Sequence, residues 1–193
     1  ISDIAFSVFN VSGTLSMIIG IMFSKMLAAR FGKRNVFIMG LSLTTVFTVM
    51  FITLSSQSVE LAFTYQIFYG LSYGITVPLL WAMMGDVADY SEWKNNRRAT
   101  GMIFSAVVFG LKAGIGLGGA IGGYLLSFYN YESNVEQTAR ALTGIRMTAS
   151  IYPAIAFIIG LIALFYYKID KKMEFTIQDD LAERRKSFDY NEK

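Results

Sequence analysis

MIFSAVVFGLKAGIGLGGAIGGYLLSF, residues 102–128, is the stretch on which the reading of this chain turns. As a helix it is long enough to cross a ~30 Å hydrocarbon layer, and it carries one charge, Lys112, near its middle. An ammonium in hydrocarbon costs roughly 2.5–3.5 kcal/mol on insertion scales, so it normally faces a partner or a water-filled path. The surrounding glycines sort onto two faces. Gly110, Gly114, Gly118 and Gly122 recur at every fourth position and predict the close approach of another helix. Gly116, Gly119 and Gly123 share the face of Lys112 and clear it of side chains. One face is suited to packing, and the other leaves room for something polar.

Outward from this stretch the same segregation of charge recurs. Residues 4–24, 35–59, 61–85 and 147–167 carry no charged side chain, and 99–131 carries only Lys112. With 54% hydrophobic and 15% aromatic residues, the chain is too apolar for an ordinary soluble domain. The expected fold is all-α and integral to a membrane, with five spans at about 4–26, 36–54, 61–85, 102–128 and 146–167. Residues 1–167 are read as the transmembrane bundle and 168–193 as a cytoplasmic tail with a short amphipathic helix. The chain has no cysteine, which excludes disulfides and thiolate metal sites, and no histidine, the commonest metal ligand. Its net charge of +3 sits in the links between spans, where it serves orientation rather than nucleic-acid binding.

The links alternate. Lys25, Arg30, Lys33 and Arg34 crowd the first, residues 55–60 hold no cation, and Lys94, Arg97 and Arg98 follow the third span. Arg140 and Arg146 are the cations of the next link, and the tail is again basic. By the positive-inside rule this places Ile1 outside and Lys193 in the cytoplasm, as five crossings require. With no starting methionine or charged leader, the chain reads as a piece of a longer protein. In the tail, Thr176-Ile-Gln-Asp179 resembles a capping box, and Ile177, Leu181 and Phe188 mark an apolar face on a helix ending near Phe188. That helix is expected on the membrane surface or against the neighbouring cytoplasmic loops.

The candidate binding residues lie within the spans. Gln66, Tyr69, Tyr73 and Trp81 fall on one side of the third span, a set of amide, hydroxyl and aromatic groups that suits a sugar. Asn10 belongs to a small or polar stripe with Gly13, Met17 and Gly20, equally readable as a helix contact. Pro78 removes one backbone hydrogen bond, so a bend or hinge is expected there. Asp86, Asp89, Glu92 and Arg98 form the most charged link and face the same side as Arg30 and Lys33, an arrangement that can hold one side of a transporter closed. No catalytic constellation is visible. The run Gly114-Ile-Gly116-Leu-Gly118-Gly119 lies inside an apolar helix with no strand before it, so it is no dinucleotide fingerprint.

Asp86-x-x-Asp89-Tyr90-x-Glu92-Trp93-Lys94, then Arg97-Arg98 and Gly101, then Lys112-x-Gly114 with its glycine-rich run, resemble the glycoside–pentoside–hexuronide:cation symporters. That group, which includes the melibiose permeases, belongs to the major facilitator superfamily. Arg30-Phe31-Gly32-Lys33-Arg34 is similar to the superfamily's basic loop between the second and third helices of a half. The resemblance covers the whole chain, read as helices eight to twelve of twelve. It implies two halves rocking about a central sugar site, with sodium or proton coupling. It also implies Lys112 near the sugar, and Asp86 and Arg98 in a cytoplasmic charged network with Arg30 as a partner. Where the family often has glycine after Glu-Trp-Lys, this chain has Asn95-Asn96. No cofactor is expected, and the cation-binding carboxylates are implied in an amino-terminal half not included here. The expected partners are a sugar or glycoside, the lipid bilayer of a bacterial inner membrane and that other half. The competing expectation is a non-transporting membrane scaffold or assembly subunit that uses the glycine faces for packing.

Overall fold

The computed structural model describes residues 3–54 and 58–191, except for the side chains of 3 and 187–191. Among them there is no strand. Seven helices follow one another: α1 (Asp3–Phe31), α2 (Lys33–Met50), α3 (Val59–Asn95), α4 (Thr100–Phe128), α5 (Ala139–Ala149), α6 (Ile151–Phe165) and α7 (Lys171–Asn191). Five helical segments are long and apolar enough to span a membrane, with α5 and α6 together forming the fifth. The all-α membrane architecture is therefore present.

The centre of the bundle is a crossing of α1 and α3 in which backbone meets backbone. A methyl group on Gly20 would strike the carbonyl oxygen of Leu71, and one on Gly74 would strike that of Met17. A methyl on Gly70 would lie 2.5 Å from the Gly13 carbonyl oxygen. Without a hydrophobic drive between helices in lipid, dispersion at such close approach supplies the attraction. The second side of α3 packs on α2, where Gly40 fits against Thr76 and Ser72. Thr44, Thr45 and Thr48 are buried on α2, and each hydroxyl donates to the carbonyl four residues earlier, at 2.7–2.8 Å. These three threonines thus enter the interior already satisfied.

Several boundaries differ from those the sequence leads one to expect. The charged stretch after residue 85 is no loop: α3 continues through it to Asn95, 37 residues in all. Nothing before Asn95 breaks the helix, and Asn96 ends it in the left-handed region at φ 51°. Asparagine tolerates that conformation, so it fills the position a glycine commonly takes. Pro78 sits inside α3, which stays helical on both sides of it. The last span is broken at Ser150, three residues before Pro153, whose missing N–H leaves the Ala149 carbonyl without its helical donor. In the tail, helix α7 starts at Lys171, where Asp170 accepts from the Met173 N–H at 2.8 Å. Asp170 is the cap, and Thr176 instead lies mid-helix, donating to the Lys172 carbonyl. The side chain of Phe188 lies outside the described residues.

α4 stands apart. None of the residues in its membrane-length window is buried, and nothing lies within 4 Å of where side chains on Gly110, Gly114, Gly118 or Gly122 would begin. The tight glycine crossing of this chain is that of α1 with α3. Introducing Gly74→Ala forces a methyl onto the Met17 carbonyl and is expected to cost about 1–3 kcal/mol, as overpacking does. Gly85→Ala, on the same helix with open space around it, is expected to be neutral or slightly stabilising. Thermal unfolding of the two variants in detergent checks the contrast.

Candidate functional site

At one end of the bundle the last turns of α1 and α3, the start of α2 and the tail helix meet. α3 presents Asp86, Asp89 and Glu92 at successive spacings of three, so the three carboxylates share one face. Lys33, the first residue of α2, lies between two acids. Its Nζ is 2.6 Å from Asp86 Oδ1 and 3.0 Å from Glu174 Oε1 of α7. The Asp86 side chain is only 9% exposed, so removing its cation would strand a carboxylate away from water. Arg98 bridges the other two acids, at 3.0 Å from Asp89 and 3.4 Å from Glu92, in a much more exposed position. The second Glu92 pairing is with Arg185 of the tail at 3.2 Å.

The tail is packed here as well as paired. Ile177 and Leu181 are buried with Ile169 against Val87, Tyr90 and Trp93. The Trp93 indole N–H donates to Asp180 at 2.7 Å, and Arg184 donates to the Trp93 carbonyl and to Asn96 Oδ1. Lys171 donates to the Ala29 carbonyl at 2.6 Å, at the carbonyl end of α1 where a cation is favoured. Of the two locations expected for this helix, the structure selects the neighbouring charged segments. Tyr167, beyond the end of α6, is held under the tail. Burial pushes its phenol above the ordinary value, the carboxylates of Asp86 and Glu174 push the same way, and it stays neutral.

Asp86, Asp89, Glu92, Lys33 and Arg98 are therefore brought together at this end of the bundle. Arg30 is not joined to Asp86. Its guanidinium lies over the ring of Phe31, and Lys33 takes the pairing. Glu174, Asp180, Arg184 and Arg185 complete the cluster but were missed among the candidates. The spacing of Ile177 and Leu181 signalled a packed face, yet gave no indication of which surface it meets.

The transmembrane candidates divide into separate groups. Tyr69 and Tyr73 stack with centroids 5.9 Å apart, and Phe51 meets Tyr69 edge-on. Gln66 and Tyr69 line a cavity of about 280 Å³ with Thr48, Phe51 and Pro153, against α2 and α6. Trp81 instead approaches Phe104 of α4 at 6.5 Å. Asn10 is exposed, and its amide donates to the Phe6 carbonyl of its own helix. Lys112 lies on the exposed surface of α4, away from the ion pairs described above. No group of three or more potential metal ligands occurs among the described residues.

This combination of five membrane-length helices with an acidic and basic cluster at one end has a match in known sequences. Residues 2–171 match the profile of the family described as MFS/sugar transport protein. The chain belongs to this family. Among relatives, the isoprimeverose transporter of Lactiplantibacillus pentosus is 38% identical over 145 residues, covering 75% of this chain and 30% of the relative. The inner membrane symporter YicJ of Escherichia coli (strain K12) is 30% identical, over 75% of this chain and 32% of its own length. The glucuronide carrier protein homolog of the same organism is 27% identical over 83% of this chain and 35% of its own. The chain thus spans about a third of the length of these transporters. Membership of the family fits an integral membrane protein, and it puts the charged cluster within a transporter fold.

The cluster's two halves differ in burial, and a double-mutant cycle separates them. The Lys33–Asp86 pair, tested with Lys33→Gln and Asp86→Asn, is expected to show a coupling of at least about 1 kcal/mol, because Lys33→Gln leaves the buried Asp86 carboxylate without its cation. The exposed Arg98–Asp89 pair is expected to fall in the ~0–1 kcal/mol range. Thermal unfolding of the detergent-solubilised variants provides the measurement.

Proposed function

We propose that this chain is the carboxyl-terminal part of a secondary active transporter that carries a sugar or glycoside together with a cation. In this reading Ile1 is outside and α7 is in the cytoplasm of an inner-membrane protein. The observation that carries it is Lys112: a single ammonium at the middle of an apolar helix, on a glycine-cleared face, in a chain of a sugar-transport family. Its insertion cost calls for a polar counterpart. Among the described residues no acid pairs with it, and a sugar's hydroxyls or an acidic sugar's carboxylate would meet that need.

The rest of the protein covers the exposed face of α4 and supplies the other wall of the sugar site. Gly110, Gly114, Gly118 and Gly122 then receive a helix of that part, and the face with Lys112 borders the substrate. Trp81, which reaches α4 through Phe104, is the aromatic of α3 best placed to adjoin this space. Gln66 and Tyr69, which line a cavity with residues of α2 and α6, and Tyr73, stacked on Tyr69, support the outer half of the bundle. Sodium or a proton, bound by the remainder of the protein, drives accumulation. The charged cluster is the cytoplasmic gate, and alternating access opens it and the opposite side in turn.

Replacing Lys112 in the full-length protein tests this. Lys112→Gln is expected to lower sugar counterflow by about tenfold or more, since hydrogen bonds to a charged group contribute ~1.5–3 kcal/mol. Lys112→Arg is expected to retain part of the activity. Counterflow across a panel of glycosides, pentosides and hexuronides is the measurement. Unchanged counterflow of every accepted sugar in Lys112→Gln would remove the lysine from the site. If the unsubstituted protein transported no sugar in the panel, the scaffold reading would take its place.

A further inference from the structure

At the end of the bundle opposite the charged cluster, α1, α2, α3 and the break between α5 and α6 surround the cavity of about 280 Å³. Four aromatic rings wall it: Phe9 from α1, Phe51 just after α2, Tyr69 from α3 and Phe157 from α6. Phe51 already meets Tyr69 edge-on, with centroids 6.5 Å apart and planes at 82°. Rings arranged in this way can receive a further ring face-on or edge-on. The space suits a molecule of one or two rings, since an apolar cavity of ~150 Å³ already admits benzene.

Polar groups among these rings lack protein partners. Gln66 lines the cavity from α3, with its side chain seated on the bare Gly13 of α1. Its amide makes no hydrogen bond among the described residues. Thr48 beside it has already committed its hydroxyl to the Thr44 carbonyl. Ala149 lines the cavity from the last span, and Pro153 deprives its carbonyl of a helical donor. An amide and a carbonyl left in this way gain from any guest that can donate and accept.

Those groups decide between possible occupants. An acyl chain of the bilayer fills the space but leaves the amide and the carbonyl unpaired. A sugar brings several hydroxyls into a lining made mostly of rings, so most of them would be stranded. A flat ring with one hydroxyl matches both features. Its face and edge meet the aromatic walls, its O–H donates to the Ala149 carbonyl, and its oxygen accepts from the Gln66 amide.

We propose that this cavity is a binding site for a small phenol-like molecule, a single aromatic ring bearing one hydroxyl, held by Phe51, Tyr69 and Phe157 and by the polar groups of Gln66 and Ala149. Such a guest ties α6 to α1 and α3 across the break in the last span. The site goes beyond the transport reading and does not depend on it, because it uses neither Lys112 nor the charged cluster.

4-Fluorophenol is the probe, titrated into the full-length protein in nanodiscs and followed by fluorine NMR. Partition into lipid rises in proportion to concentration, so a saturable component reports the site. That component is expected, and fluorobenzene, which lacks the hydroxyl, is expected to bind about tenfold more weakly. Gln66→Leu is expected to weaken 4-fluorophenol about fivefold and to leave fluorobenzene unchanged, whereas a glutamine that only shapes the cavity would move both alike. Ala149→Phe fills the space and is expected to abolish saturation by either probe. The comparison of the two probes on the unsubstituted protein needs no variant to fold. The proposal is overturned by the lack of a saturable component, by equal affinity for the two probes, or by equal losses in Gln66→Leu. Saturation that survives Ala149→Phe also overturns it, as does displacement by 1-octanol or methyl glucoside but not by phenol. Sugar counterflow is read separately, so its loss counts against the transport reading alone.

Discussion

The contact on which the arrangement depends is the meeting of α1 and α3 backbones at Gly13, Gly20, Gly70 and Gly74. Two parallel helices in an apolar solvent gain little from burying more leucine, so their affinity comes from how closely the main chains can lie. That closeness also fixes geometry further along. It sets the end of α1 and the start of α2 beside the last turns of α3, which brings Lys33 to Asp86. Packing in the apolar zone and charge pairing at the end are consequences of one approach.

Polar groups inside this bundle are handled in two ways. The hydroxyls of Thr44, Thr45 and Thr48 fold back onto their own helix and ask nothing of a neighbour. Asn10 does the same with its amide. These side chains can therefore sit at a helix surface without marking a binding site. Lys112 has no such recourse, because an ammonium cannot be neutralised by one carbonyl of its own helix in hydrocarbon. The difference separates a polar residue that packs from one that needs a polar counterpart.

Much of this was legible in the sequence because it follows from local patterns. Uninterrupted apolar length gave the five spans, and alternating charge gave the end at which the cluster lies. What local pattern does not contain is the pairing of one surface with another. The four-residue glycine repeat of α4 is conspicuous, yet within this chain it meets nothing, whereas the glycines of α1 and α3 fit each other's main chains. Neither of those sets looks complementary until the two helices are side by side. The aromatic side of α3 shows the same limit. Periodicity puts Gln66, Tyr69 and Tyr73 on one side of the helix, but only their neighbours reveal that α2 and α6 share a cavity with Gln66 and Tyr69. At the tail the apolar spacing was right and the cap wrong, since Asp170 precedes Thr176 and offers its carboxylate to the N–H groups first.

The placement of charge has a mechanical logic. In the transporter proposed above, a gate must hold, yet release for free energies of the order that a bound sugar and cation can supply. A single deeply buried pair would be too costly to break once formed, because each partner would be stranded. This cluster instead distributes its pairing, so that Lys33 has two acids, Glu92 has two arginines and Arg98 has two acids. When one contact is surrendered its shared member, Lys33, Glu92 or Arg98, keeps another, and the barrier is divided into steps. Shared partners make the end of the bundle firm at rest and still separable. That property belongs to the network as a whole and to none of its bonds individually.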